Sequence, residues 1–162
     1  MTRDEFLAKM DPRPKCDKQY DPLFKLFPKL GKNQLFLAAF MVGIHLNKCT
    51  PITIGNKTSD IYPLQLWNSR EQRDIVYYLL LKRSPEWNNP FSWNEIENAD
   101  DTLFMAFKQE FNKMMNGYAN VGFEYIHQKH QEDPTFFNQP FALVDLLVKV
   151  ADNNIDLNNQ VE

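Results

Sequence analysis

The chain has 162 residues, of which 24% are charged and 43% hydrophobic. It is therefore long enough for one domain with its own core, and this composition excludes a disordered protein. The net charge of −3 is unevenly divided, because residues 1–57 carry ten basic and five acidic side chains, whereas residues 58–162 carry eight and sixteen. A basic first third favours contact with nucleic acid or an acidic partner, unless the two parts of the chain simply attract each other.

The two cysteines, Cys16 and Cys49, do not have the CxxC spacing of a metal or redox motif. The first ten residues, MTRDEFLAKM, lack the apolar core of a signal peptide. We therefore expect a cytoplasmic protein with two reduced thiols, with a disulfide between them as the alternative.

The first elements in chain order are two short helices. Residues 3–10 have apolar side chains on one side of a helical turn, and Pro12 ends this pattern. A second helix is predicted over 22–27, with proline at the favoured first position.

The longest apolar run is 33–47, NQLFLAAFMVGIHLN. It predicts a helix that is buried on most faces, begins at an Asn33 cap and is too short for a membrane span, which needs about 20 residues. Gly43 costs roughly 1 kcal/mol inside a helix relative to alanine. A neighbouring element that crosses close to the backbone would explain this glycine.

The segment 50–67 is the least regular part of the chain. It contains two weakly alternating stretches separated by Gly55 and Asn56, which are typical of a turn. A small β-hairpin is one prediction, although Pro51 and Pro63 confine it to edge positions, and an ordered loop is the other.

Two helix starts follow this segment. Asn68 with Glu71 three residues later resembles a capping box and opens a helix that runs to about Arg83. Ser92 with Glu95 is a capping box with the standard residues, and it predicts a short helix.

A long amphipathic helix begins at Asp101 or Thr102, with apolar residues spaced by three and four. Asn116 and Gly117 either break this helix or only bend it. A last helix is predicted over 140–150.

These elements predict a mainly α protein: a compact helical domain over 1–150, built around the central helix at 33–47. A small β-hairpin near 50–67 is optional in this prediction. Residues 151–162 form a polar C-terminal tail.

No catalytic motif is present, and we predict no catalytic, cofactor-binding or metal-binding residue. His127 and His130 lie three apart on a helix and could face one metal ion, but a zinc site needs further ligands. Cys49 and His45 could form a nucleophile pair, although a histidine at the end of an apolar helix more often caps or packs.

Basic and aromatic residues alternate in the first third, which is typical of surfaces that bind phosphates and stack on bases. The helical spacing of the phenylalanines instead favours a role in the core. The candidate nucleic-acid contacts are Lys15, Lys18, Lys25, Lys29, Lys32, Lys48 and Lys57.

Aromatic residues concentrate in the energetic centres of protein interfaces. The candidate partner contacts are therefore Trp67, Trp87, Trp93 and Tyr118, together with Asn120 from the segment 118–122. The loop from Lys48 to Trp67 and the predicted bend at 118–122 are the corresponding candidate surfaces.

The segment QLFLAAFMVGIHLNKCTPI (34–52) resembles the signature of the small bacterial proteins associated with DNA phosphorothioation (Dnd) systems. The matching residues are Ala38, Ala39, Gly43, Lys48, Thr50, Pro51 and Ile52. The resemblance continues through Trp67 and EQRDIVYYLLL to YANVGFEYI (118–126), and it spans about 22–130. It implies a setting in bacterial defence by DNA modification and restriction, and it implies no active site.

Three hypotheses follow. The first is a non-enzymatic accessory subunit of a bacterial anti-phage or DNA-restriction assembly, which binds other proteins of that assembly without a cofactor or a membrane. The second is a DNA-binding module that uses the basic first third. The third is a small hydrolase or nuclease.

Overall fold

The computed structural model describes residues 1–88 and 90–159, without the side chains of residues 3 and 153–159. Within this part of the chain, seven α-helices and a two-stranded antiparallel sheet confirm the predicted mainly α fold. The helices are α1 (Arg3–Met10), α2 (Asp21–Leu26), α3 (Lys32–Leu46), α4 (Arg70–Lys82), α5 (Trp93–Glu97), α6 (Asp101–Glu132) and α7 (Ala142–Asn159). The strands are β1 (Lys15–Asp17) and β2 (Thr58–Asp60).

Helix α3 is the buried central helix that its sequence predicts. Eight of its 15 residues are buried, and Phe36 and Phe40 have no solvent exposure. The main partner of α3 is α6, whose side chains Phe111 and Phe123 are equally buried. None of the helices in the described residues combines the length and the apolar character that crossing a bilayer requires.

Helix α6 is one continuous helix of 32 residues. Asn116 and Gly117 lie in its middle and do not break it. A Cβ atom on Gly117 would lie 2.5 Å from the Cys49 sulfur and 3.3 Å from the Pro51 nitrogen. A chain segment that includes Cys49 and Pro51 therefore packs closely against the helix at this glycine.

The crossing of α3 and α6 brings the two backbones into contact. A Cβ atom on Gly43 of α3 would overlap the carbonyl oxygen of Tyr118 in α6. In the same way, a Cβ atom on Gly122 of α6 would overlap the carbonyl oxygen of Ala39 in α3. Each helix thus places a glycine against the backbone of the other, which confirms the explanation that we gave for Gly43.

The small antiparallel sheet is present, but its strands come from distant parts of the chain. Strand β2 lies within the predicted 50–67 segment, and its partner β1 precedes α2, with Cys16 opposite Ser59. The prediction of a hairpin formed locally within 50–67 is therefore wrong in its pairing.

Backbone hydrogen bonds explain this pairing. The N–H of Ile61 donates to the carbonyl oxygen of Pro14 at 3.1 Å, and the N–H of Leu64 donates to that of Pro12 at 3.2 Å. Pro63, between them, has no N–H to offer to a hairpin partner. The second half of the segment is therefore paired with the N-terminal region and not with residues 50–55.

The predicted caps of two helices are wrong by one or two positions. Helix α3 begins after Gly31, whose N–H donates to the side chain of Gln34 at 3.0 Å, and Asn33 lies inside the helix. Helix α4 begins after Ser69, whose hydroxyl accepts the N–H of Gln72 at 3.3 Å, so Asn68 is not the cap. In both cases a nearby residue of a type that is also favoured at the N-cap takes the position.

The capping box before α5 is confirmed. The Ser92 hydroxyl accepts the N–H of Glu95 at 3.3 Å, and the Glu95 carboxylate accepts the N–H of Ser92 at 2.8 Å.

Helix α7 starts two residues later than predicted and is longer. The predicted last helix is 140–150, and the observed helix continues to Asn159. Of the predicted tail 151–162, the backbone is helical to Asn159, and 160–162 lie outside the described residues.

Replacing Gly122 with alanine is expected to lower the free energy of unfolding by about 3 kcal/mol or more. The new methyl group would overlap the Ala39 carbonyl, and this overpacking outweighs the roughly 1 kcal/mol that alanine contributes as a helix former. The matched control is Gly31→Ala. Its added Cβ would meet only the rotatable side chains of Asn33 and Gln34, so we expect a loss of about 1 kcal/mol at most.

Urea unfolding followed by circular dichroism measures both variants. Equal losses for Gly122→Ala and Gly31→Ala would contradict a crossing in which the backbones touch.

Candidate functional site

Three asparagines of α6 form a row on one face of the helix. Asn112, Asn116 and Asn120 are spaced by four residues, so their side chains lie above one another. All three bind backbone groups of segments that are distant in the sequence. We call this row the asparagine face.

Two members of the asparagine face hold the segment that leads into β1. The side-chain oxygen of Asn112 accepts the N–H of Arg13 at 2.8 Å, and that of Asn116 accepts the N–H of Lys15 at 2.8 Å. The Asn116 amide nitrogen also donates to the Arg13 carbonyl at 3.2 Å. The main chain at 13–15 is therefore fixed along α6.

The third member holds the loop that follows α3. The Asn120 amide nitrogen donates to the carbonyl of Thr50 at 3.1 Å, and the N–H of Thr50 donates to the carbonyl of Gly117 at 3.2 Å. Asn120, predicted as a partner contact, therefore binds a segment of its own chain through its amide group, and a contact with another protein stays a prediction.

A groove of about 540 Å³ lies between these two segments and α6. Arg13, Lys15 and Lys113 contribute basic side chains to it, and the loop 51–56 forms the facing wall. We call it the basic groove.

The facing loop turns at the predicted position. The N–H of Asn56 donates to the carbonyl of Thr53 at 3.1 Å, and Gly55 has a φ of 93°, which favours glycine. The Asn56 side chain donates to the buried carboxylate of Asp17 at 2.7 Å and so fixes the loop to β1. Ile54, at the tip, is completely exposed.

The seven lysines predicted to contact nucleic acid are all exposed. Within the described residues, none of them lies within 4.0 Å of a carboxylate oxygen. Lys15 lines the basic groove, and Lys57 directly follows its residue Asn56. Lys18 is adjacent, because its N–H donates to the Lys57 carbonyl at 2.9 Å. The groove lining does not include Lys25, Lys29, Lys32 or Lys48.

The asparagine face and the contribution of Lys113 to the groove were not predicted from the sequence. The spacing of Asn112 and Asn116 was a usable signal, since uncharged amides repeated every four residues along a helix share a side. It did not reveal which distant segment they bind.

Three of the five predicted partner contacts are buried aromatic residues. Trp67 and Trp87 are each 3% exposed, and Tyr118 is 4% exposed. The Trp67 ring nitrogen donates to the Tyr62 carbonyl at 2.9 Å. These three side chains belong to the core, so the prediction that they contact a partner is corrected.

Trp93 is the exposed tryptophan, at 60%. Its ring packs edge-on against Phe6, with centroids 5.7 Å apart. Two adjacent depressions of about 350 and 360 Å³ are both lined by Phe6 and Trp93. The second is also lined by Tyr78, which is 65% exposed. We define the Trp93 surface as Phe6, Leu7, Tyr78, Leu81, Trp93 and Ile96.

The two histidines of α6 contact different neighbours. His127 packs edge-on against Tyr20 and lies 3.0 Å from the Gln131 amide nitrogen, whereas His130 packs against Phe137. Among the described residues, no group of three or more His, Cys, Asp or Glu side chains is arranged to hold a metal ion.

Both cysteines are free thiols. Burial raises the pKa of Cys49 to about 11 and raises that of Cys16 further above its ordinary value. The Cys49 thiol lies against the Met114 carbonyl at 3.7 Å, and the ring nitrogen of His45 lies 2.8 Å from the Met41 carbonyl. Cys49 therefore lacks the lowered pKa of an activated nucleophile.

Comparison with known proteins gives no match to a family model, a curated protein or a solved structure. The resemblance to proteins associated with phosphorothioation systems therefore stays a prediction.

Replacing Asn116 with alanine is expected to lower the free energy of unfolding by about 1–2 kcal/mol, because two hydrogen bonds to the segment at 13–15 are lost. It should also accelerate hydrogen exchange at the Lys15 amide. Gln109→Ala, at an exposed position of the same helix, is the control and should change stability by less than about 0.5 kcal/mol.

Urea unfolding and residue-resolved exchange measure these two effects. An unchanged exchange rate at Lys15 would show that the asparagine face does not hold this segment.

Proposed function

We propose that the chain is a non-enzymatic accessory subunit of a cytoplasmic bacterial assembly for anti-phage defence or DNA modification and restriction. In this proposal it acts by binding another protein of the assembly through the Trp93 surface. The exposed ring of Trp93 between two depressions is the observation that carries the proposal. The sequence resemblance contributes only the biological setting.

The physical basis is the apolar area that Trp93 leaves in water. A tryptophan side chain buries up to about 250 Å², so covering the exposed 60% would stabilise a complex by roughly 3–4 kcal/mol before entropic costs. Tyr78, beside it, offers a second aromatic ring. The two depressions can receive side chains from a partner, which is how energetically dominant residues are arranged at protein interfaces.

A second candidate function is DNA binding, and the basic groove favours it. Arg13, Lys15 and Lys113 bring three positive charges to one concave surface. The third hypothesis, a small hydrolase or nuclease, has no supporting observation among the described residues, and we do not propose it.

Replacing Trp93 with alanine should weaken binding to the partner by at least about 2 kcal/mol, or about 30-fold, because a central aromatic contact is removed. We would recover tagged protein from its native host with and without nuclease treatment and compare the wild type with the variant. Tyr62→Ala is the matched control, since Tyr62 is 62% exposed and does not line either depression.

The expected result is a stoichiometric protein that survives nuclease treatment, stays with Tyr62→Ala and is lost from Trp93→Ala. Full retention by a folded Trp93→Ala protein, or loss of every protein after nuclease treatment, would contradict the proposal.

A further inference from the structure

The lining of the basic groove is cationic without an acidic residue of its own. Arg13, Lys15 and Lys113 line it, and no Asp or Glu does. Asp11 and Glu110 pair with two of these cations from outside the lining, with Arg13 Nε 3.0 Å from Asp11 and Lys113 Nζ 3.3 Å from Glu110. Within the described residues Lys15 has no such partner. Lys15 is therefore the groove cation that no described carboxylate neutralises, and it favours an anionic ligand.

Two side-chain acceptors of the groove, those of Asn112 and Asn116, are already occupied, which removes a source of repulsion. The side-chain oxygens of Asn112 and Asn116 accept the N–H groups of Arg13 and Lys15, and the Asn112 amide nitrogen donates to the Lys108 carbonyl. These hydrogen bonds also fix the backbone from which the two basic side chains project. The backbone positions of the two basic residues are thus fixed before any ligand arrives, which lowers the entropic cost of binding.

The opposite wall presents apolar side chains beside Thr53 and Asn56, and these apolar groups favour one class of anion. Pro51, Ile52 and Ile54 face the cations across the groove, and Ile54 is completely exposed at the tip of the turn. Apolar side chains do not stabilise a bound small inorganic anion. They do stabilise a bound nucleotide, because its phosphate binds cations while its base contacts apolar or aromatic groups.

We propose that the basic groove binds the sugar–phosphate backbone of a nucleic acid, with Arg13 and Lys15 on phosphates and Ile54 against a base. The inference rests on the second proposed function, DNA binding, and names the residues of the groove that would bind the DNA. The volume of about 540 Å³ accommodates about one nucleotide, and the exposed Lys18 and Lys57 beside the groove reach neighbouring phosphates.

The test uses the full chain and labelled 20-mer DNA, single-stranded and duplex of the same sequence, with anisotropy measured over a range of KCl concentrations. The groove variant is Arg13→Gln/Lys15→Gln, which leaves the backbone hydrogen bonds to the asparagine face in place. Lys25→Gln/Lys29→Gln is the matched control, because it removes the same charge from exposed lysines that do not line the groove. Ile54→Ala is the third variant.

We expect the groove variant to bind DNA about tenfold more weakly than the wild type. Its affinity should also depend less steeply on the KCl concentration, by an amount that corresponds to about two fewer phosphate contacts. The control variant should stay within about twofold of the wild type, and Ile54→Ala should weaken binding without changing the salt dependence. The DNA form that the wild type binds more tightly identifies whether one strand or a duplex is the ligand.

Two results would overturn the inference in different ways. If the wild type binds DNA but the groove and control variants lose affinity equally, the second proposed function survives and the location is wrong. If the wild type binds neither form of DNA at 50 mM KCl, the second proposed function fails together with its location. Neither result bears on the Trp93 surface.

Discussion

The rest of the structure depends on the contact between the backbones of α3 and α6. Gly43 lies against Tyr118, and Gly122 lies against Ala39, so the helices approach more closely than any side chain at these positions would allow. This approach brings the phenylalanines on either side into one aromatic core. Close contact between the two helix backbones also fixes their relative position, because closely packed protein interiors deform little.

The position of α6 in turn determines what its outer face can hold. Because the inner face of α6 lies against α3, the asparagine face is directed to the segment that leads into β1 and to the loop at Thr50, whose backbone groups it binds. Buried or half-buried backbone groups need hydrogen-bond partners. The basic groove is the space left between these two segments, so its shape follows from the helix crossing through a short series of hydrogen bonds.

The sequence allowed the helices to be predicted, and it allowed Gly43 to be assigned to a close crossing, because apolar spacing and a glycine within a helix are local signals. It did not allow us to predict which segments of the chain pack against each other. The motif at 118–122 was interpreted as an external contact surface, whereas it is the surface that meets α3. The prediction that Trp67 contacts a partner was wrong for the same reason. An aromatic side chain indicates burial, but it does not show whether the residues that cover it belong to the same chain or to another protein. The pairing of β1 with β2 joins segments that are distant in the sequence, and no local sequence pattern indicates it.

The most direct test of this account is native-state hydrogen exchange, resolved by residue and measured over a range of urea concentrations. If the helix crossing holds the fold together, the amides near Gly43 and Gly122 exchange only through global unfolding, with a free energy equal to that from urea denaturation. Exchange of these amides through a smaller opening, while α4 stays protected, would show that the structure does not depend on this crossing.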